Sequence, residues 1–223
     1  NSLLVKKFIS DLPFKLTKSQ KNSWNKIYED LISTNQMVRL LQGDVGSGKT
    51  IVAFIAMLHA IDSKFQAVMM APTSILANQH FENINNLLSN TNIKTVLLTG
   101  KDKGNTRLNK LEQIKNGEAK FIIGTHSLIQ DDINYNSLGL VVIDEQHRFG
   151  VFQRMVFNKK ANKPSLLVMS ATPIPRTLTL AAYGDMDESR ITEKPIGRLP
   201  IETISMPLKK ENELIDRLSK KLN

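Results

Sequence analysis

The chain has 223 residues, 41% hydrophobic and 23% charged, a balance that suits one sizeable globular domain with an appendage and excludes a disordered or fibrous chain. It has no cysteine, which excludes disulfides, thiolate metal sites and cysteine nucleophiles and suits a reducing, cytoplasmic setting. No apolar run approaches the ~18 residues of a membrane span, so no membrane partner is expected, and the formal net charge of +9 points either to a polyanion such as nucleic acid or to a lysine-rich solvated surface.

In chain order, residues 1–16 read as a tether into the domain. Thr17-Lys18-Ser19-Gln20 has the form of a capping box. A helix is expected from there to about Ile32, with Trp24, Ile27, Tyr28 and Leu31 at helical spacing. Short apolar strands then alternate with helical segments. The strands are expected at Met37–Leu41, Ala67–Met70, Thr95–Leu98, Phe121–Ile123, Leu140–Ile143 and Leu166–Met169. The helices are expected at about 51–62, 75–89, 106–116 and 151–158. This alternation predicts an α/β fold, a mostly parallel sheet with helices on both faces and a ligand crevice at the strand ends. Beyond Gly184, prolines break the chain into short extended pieces before a charged helix from Lys209 to Leu222, so 185–223 reads as a connector leading away from a domain at 17–184. A first residue other than Met suggests a piece of a longer protein.

Gly43-Asp44-Val45-Gly46-Ser47-Gly48-Lys49-Thr50 fits the phosphate-binding pattern G-x-x-x-x-G-K-[ST]. An apolar strand enters it and an apolar helix leaves it, the context that the chemistry needs. Glycines let backbone amides curl around phosphate oxygens, and the helix N-terminus adds partial positive charge. Lys49 is expected on the terminal phosphates and Thr50 on Mg²⁺. Val141-Val142-Ile143-Asp144-Glu145 supplies the complementary half. Asp144 would hold Mg²⁺ through its water shell, and Glu145 would orient or deprotonate the attacking water.

Asp144-Glu145-Gln146-His147 resembles the DExH box of superfamily 2 helicases and translocases, and further motifs follow in that superfamily's order. Phe14-Lys15-Leu16-Thr17-Lys18-Ser19-Gln20 looks like the Q motif, Ala71-Pro72-Thr73-Ser74-Ile75-Leu76-Ala77 like motif Ia and Ser170-Ala171-Thr172-Pro173 like motif III. Leu98-Thr99-Gly100 and Gly124-Thr125-His126-Ser127-Leu128 look like two nucleic-acid motifs. Within the superfamily, Asp144 to Val151 and Ser170 to Leu178 are most similar to the RecG family of bacterial branched-DNA translocases, with the Mfd family of transcription-repair translocases as the alternative.

The resemblance implies a RecA-like P-loop NTPase domain that binds ATP and Mg²⁺ and contacts single-stranded, double-stranded or branched DNA through its backbone. It implies Gln20 at the adenine edge (or only in its helix cap) and Lys49, Glu145 and His147 in catalysis. His147 would connect to the hydroxyls of Ser170 and Thr172, which otherwise read as a cap. Thr73, Thr99, Thr125 and His126 would contact the DNA backbone; each hydroxyl also reads as a strand-end cap. Arg148 and Arg176 would serve DNA or a domain interface, and Arg107, Lys110 and Lys115 read as a solvated face. A wedge domain and a second RecA-like domain are the partners expected in the full-length protein. No Q-x-x-G-R-x-G-R stretch is present, so this lobe alone is expected to turn over ATP very poorly. An ATP-dependent binding module without useful hydrolysis is the reading from a different class.

Overall fold

A computed structural model describes residues 2–144, 157, 160–161, 163–172, 186–195, 205, 207, 209 and 211–222. Expectations at Glu145, Gln146, His147, Arg148 and Arg176, and most of the 151–158 helix, lie outside the described residues.

The strands are β1 (Val38–Gly43), β2 (Gln66–Met70), β3 (Thr95–Leu98), β4 (Phe121–Gly124), β5 (Leu138–Ile143), β6 (Ser165–Ser170) and β7 (Asp187–Ile191). The helices are α1 (Leu3–Asp11), α2 (Lys18–Leu31), α3 (Lys49–Asp62), α4 (Ser74–Leu87), α5 (Gly104–Lys115) and α6 (Glu211–Leu222), with a 3₁₀ turn at His126–Ile129. The strands form one seven-stranded sheet in the order β3-β4-β2-β5-β6-β1-β7, and every pairing is parallel. This is the RecA-like α/β arrangement expected from the sequence.

Both sheet faces are covered, which is why the central strands are continuous apolar runs rather than alternating ones. Successive side chains point to opposite faces. Thus Ala67 and Met69 of β2 and Leu140 and Val142 of β5 pack in one core, and Val68, Met70, Val141 and Ile143 pack in the other. The first core is roofed by α3, a helix apolar on nearly all sides because α1 and α2 cover its outer face. The second core lies under α5 and the 3₁₀ turn, with Tyr135 donating from its hydroxyl to the Leu128 carbonyl at 2.8 Å.

The stretch read as a tether contains α1. Ser2 caps α1 by accepting from the Val5 amide, and Val5, Phe8, Leu12 and Leu16 are buried in the α3-side core. The proline-rich region after residue 184 likewise contributes β7, which extends the sheet beside β1. Its sequence, DESRI, buries only Ser189 and Ile191. Arg39 anchors this edge from β1. Its Nε donates to Asp30 Oδ2 of α2 at 2.6 Å, and Nη1 donates to the Glu188 carbonyl and Ser189 Oγ at 3.2 and 3.1 Å.

The other side of the sheet has its own buried polar knot. Gln66 is fully buried at the start of β2. Its amide group donates to the Ile114 and Ala119 carbonyls at 2.8 Å each, and its oxygen accepts from the Asn136 and Ser137 amides at 2.8 and 3.0 Å. One side chain thus closes the entry to three strands with every polar atom satisfied. Arg107 and Lys110, expected on a solvated face of α5, make specific pairs. Arg107 Nη2 reaches Asp132 Oδ2 at 2.9 Å, and Lys110 Nζ reaches Asp102 Oδ1 at 2.5 Å.

Candidate nucleotide and nucleic-acid site

An all-parallel sheet delivers all its carboxyl ends to one edge. The register makes this literal: Leu98, Gly124, Met70 and Ile143 stand side by side across β3, β4, β2 and β5. The residues that follow (Thr99, Thr125, Ala71 and Asp144) therefore leave the sheet at one level. Gln42 pairs with Ser170 on the β1–β6 side of the same edge.

The glycine loop leaves β1 and closes into α3. Gly46 and Gly48 adopt positive φ of 74° and 87°, and Gly48 is the N-cap of α3 without any side-chain cap. The first-turn amides of α3 are thus offered no capping side chain, which suits an anion. A Cβ on Gly48 would lie 2.2 Å from Gln20 Nε2. Ser47 Oγ is buried and, among the described residues, has no hydrogen-bond partner. Lys49 Nζ donates to the carbonyls of Gly43 and Asp44 at 2.6 and 3.0 Å, so the ammonium is held over the loop by weak acceptors that a phosphate can replace. Thr50 occupies the first turn of α3 with its side chain partly exposed.

Gln20 is only 1% exposed. Its oxygen accepts from the Thr17 amide at 2.9 Å, completing the capping box, while Nε2 donates to the Ser47 carbonyl at 2.8 Å. In this arrangement Gln20 is a strut between α2 and the glycine loop.

Asp144 ends β5, and its amide donates to the Met70 carbonyl at 2.9 Å. Its Oδ2 lies 2.8 Å from His80 Nε2 on α4, a partner that sequence reasoning missed. The signal was weak: one histidine on the inner face of a helix normally reads as core. On β6, Ser170 Oγ donates to the Thr172 carbonyl at 2.9 Å and lies 3.3 Å from Thr172 Oγ1. Gln42 also donates to the Thr172 carbonyl, at 3.0 Å, tying the residue before the glycine loop to the β6 exit. These ties place the loop, Asp144 and the Ser170–Thr172 turn on adjoining strands; they do not connect the Ser170 and Thr172 hydroxyls to any described histidine.

The segment leaving β7 adds two more missed contacts. Glu193 accepts from the Ser19 amide at 3.1 Å at the N-terminus of α2, and this bond, outweighing a small burial effect, holds its carboxyl below the usual range. Lys194 Nζ lies 3.1 Å from Asp44 Oδ2. Its hydrogen bond, then that of the Val45 amide, lowers the Asp44 carboxyl.

The expected DNA-contact residues share the edge but are locally engaged. Thr73 caps α4 by accepting from the Leu76 amide at 3.2 Å. Thr99 is buried, and its amide and hydroxyl both donate to Asp102 Oδ2, at 2.8 and 3.3 Å. Thr125 Oγ1 lies 3.4 Å from Ser127 Oγ, which donates to the Leu98 carbonyl at 2.7 Å. His126 is exposed. Among the described residues, no helix is long and apolar enough to cross a membrane.

This geometry agrees with comparisons to known proteins. The DEAD/DEAH box helicase model matches residues 17–180. ATP-dependent DNA helicase RecG of Streptococcus pneumoniae serotype 4 is 54% identical over 86% of this chain and 28% of its own length. RecG of Staphylococcus epidermidis is 49% identical over 98% of this chain and 32% of its own length. A solved structure of RecG bound to a three-way DNA junction superposes with a TM-score of 0.87 at 43% identity, covering 100% of this chain and 30% of that one. The chain therefore spans less than a third of the length of these relatives. By its fold, its glycine loop and the model it matches, the chain belongs to the DEAD/DEAH box helicase family.

Proposed function

We propose that this chain is the ATP-binding lobe of a DNA-dependent ATPase that translocates on and remodels branched DNA, acting with a second RecA-like domain and a wedge domain. The observation that carries this reading is the meeting of the Lys49 loop and the Asp144 strand end at one edge of an all-parallel sheet. Similarity to RecG proteins across nearly the whole chain supports the choice of branched DNA.

The residues present fit ATP and Mg²⁺. Loop amides and the Lys49 ammonium are anion donors, and the Thr50 hydroxyl and Asp144 carboxylate are hard oxygen ligands suited to Mg²⁺. Bound there, ATP supplies the phosphoryl transfer to water that powers the motor. The chain's own groups then have separate tasks. Residues Gly43 to Lys49 would cradle the phosphates, Thr50 and Asp144 would hold the metal, and Glu145 as base and His147 would serve catalysis. Gln42 and the Ser170–Thr172 turn carry displacement of the loop toward the rest of the protein. Thr73, Thr99, Thr125 and His126 border the DNA path, and their neighbouring backbone amides suit phosphate contact that does not read sequence. An arginine from the second lobe is worth ~10³–10⁵ in rate in related phosphoryl-transfer enzymes, so the lobe by itself is a poor ATPase.

The test is ATP-driven strand separation by the full-length protein. Remodelling of a three-way junction well above that of a linear duplex, dependent on hydrolysable ATP, is expected. Equal action on both, or activity confined to RNA, would overturn the branched-DNA reading.

A further inference from the structure

His80 comes a whole helix and strand beyond the phosphate loop in the chain, yet its ring closes on the strand end that carries Asp144. It lies on α4, is 7% exposed, and places Nε2 2.8 Å from Asp144 Oδ2. Two further contacts fix the geometry. The His80 ring meets Phe54 of α3 edge-to-face, with centroids 6.3 Å apart and planes at 84°. The Asp144 amide is pinned to the Met70 carbonyl, so the carboxylate's backbone is fixed and its side-chain torsion is what remains to be set. An ionised carboxylate only accepts, so His80 must carry its proton on Nε2.

We propose that His80 is a positioning residue for Mg²⁺ binding, orienting Asp144 so that its remaining lone pairs serve the metal's water shell. The inference rests on the reading of Asp144 given above. A bond that merely satisfied a buried carboxylate could be made from anywhere. This one comes from a ring that also packs on α3, the helix whose first turn carries Lys49 and Thr50. The same imidazole thus sets the carboxylate relative to the phosphate-binding helix. Partners of this kind, which hold a metal ligand in place, change metal affinity or activity by about 10–100-fold when lost.

The experiment is a Mg²⁺ titration of the binding of a fluorescent, non-hydrolysable ATP analogue to the full-length protein. His80→Leu keeps the side chain's bulk and removes the donor; it is expected to raise the half-saturating Mg²⁺ concentration by about 10–100-fold. Binding measured in EDTA is expected to stay unchanged. His80→Gln, which returns an N–H to the same reach, is expected to recover most of the loss. An unaltered Mg²⁺ dependence in His80→Leu, or an equal loss in EDTA, overturns the proposal. Asp144→Asn separates the two levels: if it too leaves the Mg²⁺ dependence intact, the reading of the nucleotide site fails; if it alone loses it, only the role of His80 fails. Should His80→Leu not fold, the nitrogen resonance of His80 Nε2 in the unsubstituted protein decides. It is expected to move when Mg²⁺ is added to the analogue complex, and a stationary resonance overturns the proposal.

Discussion

On the β1–β6–β7 half of the strand-exit edge, polar side chains reach far along the chain: Gln20 to Ser47, Gln42 to Thr172, Lys194 to Asp44. On the β2–β4–β3 half two of the expected DNA-contact threonines turn back on their own loops, Thr73 to the Leu76 amide and Thr99 to Asp102, each three residues away. The first half is braced by ties between elements, so its loop is shaped before a nucleotide arrives. In the second half the Thr73 and Thr99 hydroxyls are engaged within their own turns and become available to DNA only if those turns open, and the exposed His126 is already at the surface.

The largest effects should come from the buried knot that anchors each half. Gln66→Leu takes the side-chain partner from the Asn136 and Ser137 amides and the Ala119 carbonyl, while the Ile114 carbonyl keeps the Gly117 amide, and is expected to cost about 3–5 kcal/mol. Arg39→Met strands Asp30 and loosens β7, at about 3 kcal/mol, less because Asp30 remains partly hydrated. Denaturant midpoints measure both; the reverse order would make the β1–β7 edge the better anchored. Next come two positive-φ glycines, one in each half. Gly48→Ala forces a Cβ into Gln20 and is expected to cost about 1–3 kcal/mol, with about a tenfold to hundredfold loss of nucleotide affinity. Gly104→Ala, with φ +54° but nothing within 4 Å among the described residues, should cost about 1 kcal/mol and leave nucleotide affinity unchanged. Equal effects on nucleotide binding would erase the contrast.

Thr73→Ala should cost about 1 kcal/mol through its lost cap, and Thr73→Ser should restore it. A DNA-affinity loss that Ser also restores would show that one hydroxyl serves both tasks. The smallest effect concerns His59, half-buried against Trp24 and Tyr28. Burial lowers its imidazole pKa, so the unfolded chain takes up the proton first as pH falls. The stability it contributes is full above about pH 6.5 and is lost as pH drops through the lowered folded value. His59→Phe should flatten that part of the pH–stability curve; an unchanged curve would assign the dependence elsewhere.

The sheet was legible because strands buried on both faces are short apolar runs, and β2, β4 and β6 leave no other reading. The glycine loop was legible because its residue types and spacing are demanded by phosphate. Three features were hidden for physical reasons. α1 is short, although Val5, Phe8 and Leu12 carry helical spacing behind the Ser2 cap. β7 is an edge strand of mostly polar residues, so hydrophobic periodicity does not mark it. The His80–Asp144 and Gln42–Thr172 contacts join residues 64 and 130 positions apart, which only the fold brings together. Gln20 was legible as a cap, but its hold on Ser47 depends on where α2 packs.

The most direct test of the central claim is ATP hydrolysis by the full-length protein with and without three-way junction DNA, with Lys49→Ala as the blank. Junction-stimulated turnover that falls to background in Lys49→Ala, by about 10²–10³-fold or more, is the predicted result. Stimulated turnover that survives the loss of Lys49 would contradict the assignment of this loop as the motor's phosphate site.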